Sequence, residues 1–248
     1  MTTFAKNHLA MCKIWQQQLR DISHPEKIKI LSSFFKTGKG EYGEGDKFLG
    51  ITVPDNRKVS TAHAFDSLDD ILVMLCHEIH EFRLAALLAL VHRYKKAKSR
   101  EEQTAIVDFY LDNAHRCNNW DLVDLSAPYI LGAHLLNHHS PTVLDSLASS
   151  DNLWRQRIAI VATLTLIRNN RFDDTLRLAE RYLTHPHPLM HKATGWMLRE
   201  VGKKHLPTLL NFLDRWAHIM PRTTLRYAIE RLTPEKRQYY MAFSKKCN

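Results

Sequence analysis

Apolar residues recur at spacings of three and four along nearly the whole chain, and that period commits the chain to helices. The segments Ile71–Cys76, Phe82–Tyr94, Ile106–Ala114, Ile158–Ile167, Leu176–Leu183, Ala193–Val201 and Leu206–Trp216 all carry it. Alternating patterns long enough for strands are absent. Of the eight glycines, five lie between Gly38 and Gly50, so residues 36–50 read as one long loop. That loop separates an N-terminal helical pair, about 4–35, from a helical region of about 54–243, with Pro54 near the start of its first helix.

The helical region repeats itself. Arg83, Arg157, Lys192 and Arg222 each stand at the start of an apolar helical stretch, and Trp120 falls midway between Arg83 and Arg157. The period is about 30–37 residues, one helical hairpin per unit, as in HEAT-type arrays. The expected fold is therefore all-α, a single domain built as an α-α superhelix of HEAT-like repeats. In such a stack equivalent positions line one face, so Arg83, Trp120, Arg157, Lys192 and Arg222 are expected to form a ladder on a concave basic surface.

Charge supports an anionic partner. The net charge is +9, and it is unevenly placed: residues 149–248 hold 18 Lys/Arg against 8 Asp/Glu, residues 1–148 hold 17 against 18. The four cysteines, Cys12, Cys76, Cys117 and Cys247, form no C-x-x-C pair. His138–His139 and His185–Pro186–His187 lack the H-E-x-x-H arrangement of a zinc hydrolase. No metal or cofactor is expected. The N-terminus shows no signal-type apolar run and no window of about 20 apolar residues spans a bilayer, so a cytoplasmic protein is expected.

Aromatic rings beside charges mark the candidate site. Trp120 and Asp124 are four apart, Trp154 and Arg157 three apart, and Lys192 and Trp196 four apart; on a helix each pair shares a face. In a basic chain, a polar and aromatic-lined surface fits nucleic acid. Trp15 and Trp216 have no such context and read as packing residues. Trp154 reads as a residue that packs and orients Arg157.

These residues resemble the AlkD-like family of bacterial DNA alkylation-repair glycosylases. The resemblance runs from about Phe34 to Glu230. It is carried by Phe48-Leu49-Gly50-Ile51 with Pro54 and Arg57, by Trp120-Asp121-Leu122-Val123-Asp124, by residues 150–157 and by residues 192–200. It implies an all-helical repeat protein that binds duplex DNA and removes N3- and N7-alkylated purines. It implies that Asp124 is the catalytic carboxylate, that Trp120 and Trp196 pack against the lesion's sugar-phosphate, and that Arg157 contacts a nearby phosphate. Phe35 stands where the family has a tyrosine, and Asn119 where it has the first of two tryptophans. The glycine-rich loop is longer than in the simplest members.

The implied chemistry is self-consistent. An alkylated cationic purine leaves as a neutral base, so no acid is needed to protonate it, unlike ordinary glycoside hydrolysis. One carboxylate suffices to stabilise the oxocarbenium ion and position water. Asp121, about 100° around the helix from Trp120, is the alternative carboxylate and is expected to cap or pair structurally. Arg83, Arg157, Lys192, Arg199, Arg222 and Arg226 are expected to contact phosphates, with Phe35 and Trp154 also on the DNA-binding surface. The resemblance implies that the base need not enter a pocket. A monomer with no obligate protein partner is expected. Two rivals stand beside this reading: a non-catalytic binder of DNA structure on the same fold, and a HEAT-type protein-interaction scaffold.

Overall fold

The computed structural model describes residues 3–243, and Cys247 lies outside them. Among the described residues the architecture is all-α; pairing between extended segments is confined to one isolated bridge, Lys47 to Ile79. No helix there is long and apolar enough to cross a membrane. Packing divides the chain at Ser126–Ala127 into two compact units.

The first unit contains α1 (Thr3–Asp21), α2 (Pro25–Phe34), α3 (Val53–Ala62), α4 (Leu68–Leu75), α5 (His80–Lys96), α6 (Arg100–Asp112) and the short α7 (Trp120–Asp124), with a 3-10 turn at Ala114–Arg116. Its centre is α5, against which α3 and α4 pack. Residues Phe82 to Leu90 are buried without a break, so this helix has no solvent face over its first half. Local chemistry sets the ends. Ser67 accepts the backbone N–H of Asp70 at 3.1 Å and donates its hydroxyl to that side chain at 2.6 Å, capping α4. Ser99 caps α6 by accepting the Glu102 N–H at 3.1 Å.

The second unit begins with a wide π turn at Pro128–Gly132. It continues through α8 (Ala133–Asn137), α9 (Pro141–Ala148), α10 (Leu153–Arg168), α11 (Asp173–Arg181), α12 (Pro188–Lys204), α13 (Leu206–Trp216), α14 (Arg222–Ala228) and α15 (Pro234–Phe243). Here α10 is the central helix, packed on α9, α11 and α12. Asn152 caps it by accepting from the N–H groups of Trp154 and Arg155. The segments marked by periodicity all lie within or largely within helices; the turn at 128–132, α8 and α9 lie outside them.

The crossing of α12 and α14 depends on Gly195. A Cβ there would stand 2.5 Å from both the Thr224 carbonyl oxygen and the Tyr227 Cβ, so only a bare backbone lets these helices approach this closely. Gly195→Ala is therefore expected to push α14 away and destabilise the fold by about 2 kcal/mol. Urea unfolding measures this; an unchanged midpoint and slope would show that the crossing relaxes without cost.

Candidate functional site

The five-residue helix α7 carries the pair singled out in the sequence. Asn119 precedes it in extended conformation, and its side-chain oxygen accepts the Trp120 N–H at 2.8 Å. Leu122 and Val123 are fully buried, which fixes the inward face. Trp120 and Asp124, at its two ends, are each half-buried. Below them the turn is tied down: Ser126 donates to the Leu122 carbonyl at 2.5 Å and meets the buried Tyr110 hydroxyl at 3.0 Å.

Trp120 is held by a stack of rings. Phe35 lies against it with centroids 5.3 Å apart and planes 24° apart. Phe48 stacks on Phe35 at 5.2 Å, and the His80 ring stacks on Phe48 at 4.7 Å. Phe34 approaches Trp120 edge-on at 5.6 Å. Trp120 thus has its tilt set from one side by a buried column of aromatics.

Beneath the column lies a buried ionic cluster. His80 sits between two carboxylates: Nδ1 faces Asp46 Oδ2 at 3.1 Å and Nε2 faces Asp121 Oδ2 at 2.8 Å. Asp46 Oδ1 also accepts from Arg83 at 2.6 Å and from Asn118 at 2.7 Å. Burial alone would strip the proton from His80. The charge and hydrogen bond of Asp121, with the hydrogen bond of Asp46, outweigh burial and the nearby Arg83, and push its pKa up to about 9. Asp46 is likewise opposed by burial, yet the bonds from His80 and Asn118 and the charge of Arg83 hold its carboxyl below the usual range.

The second unit places its candidates differently from one another. Lys192, Arg222 and Arg226 are exposed, and Trp196 is half-buried on α12. Lys192 and Arg226 share the rim of a cavity of about 520 Å³ with Thr223, Tyr227 and Glu230. Arg199 is half-buried and engaged with Glu230 and with Glu200, the latter at 3.7 Å.

Four expectations need correction. Arg83 is 7% exposed and donates to Asp46, to the His77 carbonyl at 2.7 Å and to Asn118 at 3.1 Å, so it is a structural ion-pair partner rather than a phosphate contact. Arg157 is 4% exposed and donates to the Leu189 carbonyl at 2.8 Å; it sits inside the α10–α12 packing and not on an open surface. Trp154 is buried as well, a packing residue as read from its context but not a DNA-facing one. Phe35 is 8% exposed, sandwiched between Trp120 and Phe48, while its neighbour Phe34 is 59% exposed and presents the ring that Phe35 was expected to present. The expected ladder is therefore not uniformly basic and exposed.

Asp121 pairs with His80, as its alternative reading as a structural acid anticipated. Trp15 is fully buried and stacked on His63. Sequence reasoning missed Asp46 and His80 altogether. Among the described residues no group of three or more His, Cys, Asp or Glu is arranged to hold a metal ion.

Comparison with known proteins places this geometry in context. A family model described as DNA alkylation repair enzyme matches residues 15–232. Among solved structures, one described as a predicted DNA alkylation repair enzyme from Enterococcus faecalis is similar in fold. Its TM-score is 0.68 at 19% identity, covering 86% of this chain and 97% of that one. No curated protein sequence matches.

The cluster carries a pH signature. The His80 pKa is raised on folding, so the stability it contributes is complete below pH 6.5 and is lost as pH rises through about 9. Denaturant unfolding at successive pH values is expected to show a fall on the order of 3 kcal/mol across that window. Replacing His80 by Gln should remove the pH dependence, and an identical slope in the variant would assign the loss to other groups.

Proposed function

The chain belongs to the DNA alkylation repair enzyme family, and from that premise we propose that it hydrolyses the N-glycosidic bond of N3- and N7-alkylated purines in duplex DNA. The observation that carries this reading is the Trp120–Asp124 turn. A half-buried carboxylate and a half-buried indole stand at the two ends of one short, capped helix whose ring is braced from behind. That is a rigid support for a charge aimed at a sugar.

In the proposed reaction the C1′–N bond breaks with its electron pair going to the base. The cationic purine thereby becomes neutral and leaves. The positive charge passes to the deoxyribose, where the Asp124 carboxylate stabilises it electrostatically and the Trp120 face favours it further. Water then bonds to C1′ and gives its proton to Asp124 or to solvent. The bond order is complete with one carboxylate and one water. Selectivity follows from the lesion's own charge, because a neutral base is a far poorer leaving group without an acid.

The DNA would be held by its backbone. Lys192, Arg222 and Arg226 are the exposed cations suited to phosphates, and Arg199 would have to exchange Glu230 for one. Trp196 makes its own contact with the sugar-phosphate. Phe34 replaces Phe35 as the aromatic offered to the duplex, since it is the exposed ring at Trp120. The protein acts as a monomer in the cytoplasm, without cofactor or obligate protein partner.

Single-turnover incubation with a duplex containing 7-methylguanine, beside the same duplex containing uracil, tests the reaction. Release is expected from the cationic lesion alone. Binding without release would leave a non-catalytic DNA-structure binder, and neither binding nor release would leave a protein-interaction scaffold. Joint replacement of Lys192 and Arg226 by Ala should weaken binding to any sequence and reduce the salt slope by about two phosphates' share. An unchanged slope would remove both from the DNA surface.

A further inference from the structure

The glycine-rich loop, residues 36–50, does more than connect helices. Its tip is satisfied internally, with Gly38 N–H donating to Glu41 and Gly40 N–H to Glu44. Its far end is locked to the start of α5. The N–H groups of Leu49, Gly50 and Ile51 all donate to the buried Glu81 carboxylate at 2.9–3.2 Å, and Lys47 pairs with Glu78 at 2.8 Å.

The loop also reaches four consecutive residues at the start of α7, Asn118 and Asn119 directly and Trp120 and Asp121 through an intervening ring. Asp46 accepts from Asn118. Gly43 comes so close to Asn119 that a Cβ would stand 3.1 Å from its amide nitrogen and collide with the Phe35 carbonyl. Phe48 supports Trp120 through Phe35. Asp46 holds Asp121 through His80. We propose that this loop is the device that positions the Trp120–Asp124 turn for base release, with Asp46 and His80 as its positioning residues. The inference rests on the function proposed above and adds to it the residues that set the geometry of its carboxylate.

The chemistry of imidazole makes the clamp two-sided. A protonated ring donates from both nitrogens and so holds both carboxylates; a neutral ring donates from only one. Loss of the His80 proton therefore releases either the loop or α7. The charged groups around the ring are Asp46 from the loop, Asp121 from α7, and Arg83 and Glu81 from α5. Glu81 is already saturated by three backbone N–H groups, while Arg83 bonds Asp46 and Asn118. The Cys117 thiol, buried nearby with its pKa pushed up to about 12, stays neutral throughout the relevant range. With Glu81 held apart by its backbone donors, the two carboxylates on the ring, one guanidinium and one imidazolium balance only while His80 is protonated. Apolar residues could fill such a space at no loss of stability, so fixed orientation is what the ions add.

The test uses Asp46→Asn in protein labelled with 5-fluorotryptophan, the Trp120 signal being assigned with Trp120→Phe. Three readouts are compared with wild type: single-turnover release of 7-methylguanine, DNA affinity, and the pH titration of the Trp120 fluorine signal. Release should slow by about tenfold to a hundredfold, with DNA affinity within about twofold. The wild-type Trp120 signal should titrate near pH 9, and the variant about one unit lower because one supporting carboxylate is gone. Unchanged release, or a Trp120 signal that ignores both pH and the substitution, overturns the proposal. If Asp46→Asn does not fold, Asn118→Ala removes the neutral link alone; release is then expected to slow at unchanged DNA affinity, and unchanged release overturns the proposal. If wild type releases no base, the proposed reaction fails, and the fluorine titration still decides whether the loop sets the Trp120 environment.

Discussion

One histidine ring between two buried carboxylates organises the first unit of this protein. His80 opens α5, the central helix, and touches Asp46 of the glycine-rich loop on one side and Asp121 of α7 on the other. Three segments far apart in sequence meet at a single imidazolium. Burying four charged groups costs several kcal/mol each in desolvation, which their mutual attraction and full hydrogen bonding offset. Such a cluster contributes little beyond what apolar packing of the same space would, but it admits few alternative geometries. The aromatic column of Phe48, Phe35 and Trp120 is built on the same ring, so the half-buried indole rests on rings that are packed against the buried cluster.

This arrangement separates support from contact. Cations that the sequence places at helix starts divide into two groups by burial. Arg83 and Arg157 are interior residues with fixed partners, and Lys192 and Arg222 face solvent, as does Arg226 in the last turn of α14. A buried guanidinium shapes the fold around it; an exposed one is available to a phosphate. On the proposed reading the protein brings little chemistry of its own beyond one carboxylate, because an alkylated purine already carries the charge that makes it leave.

Much of this was legible in the sequence. Helical spacing located the main helices because apolar residues recur with the helical period on each, and the i, i+4 relation of Trp120 and Asp124 put both on one short helix. The failures have physical causes. Arg83 and Arg157 looked exposed because a cation at the head of an apolar helix is commonly solvated; α5 and α10 are buried on all sides near those positions, which forces the cations inward. Phe34 and Phe35 were indistinguishable because α2 ends between them, with Phe35 as its cap, and helical period stops being a guide there. Asp46 and His80 gave no signal at all. Their partners lie 34 and 41 positions away, and no local pattern marks one aspartate in a loop or one of fifteen histidines as members of a cluster.

In the proposed reaction the Asp124 carboxylate stabilises a sugar cation. That role is tested most directly by single-turnover release of 7-methylguanine from duplex DNA by wild type and Asp124→Asn, with DNA affinity measured on both. The variant is expected to lose about 10²–10³ in rate, the size that follows from removing one preorganised electrostatic stabiliser, with affinity equal or raised because a negative charge near phosphates is gone. A variant that releases base at the wild-type rate would contradict it and would move the search to another carboxylate.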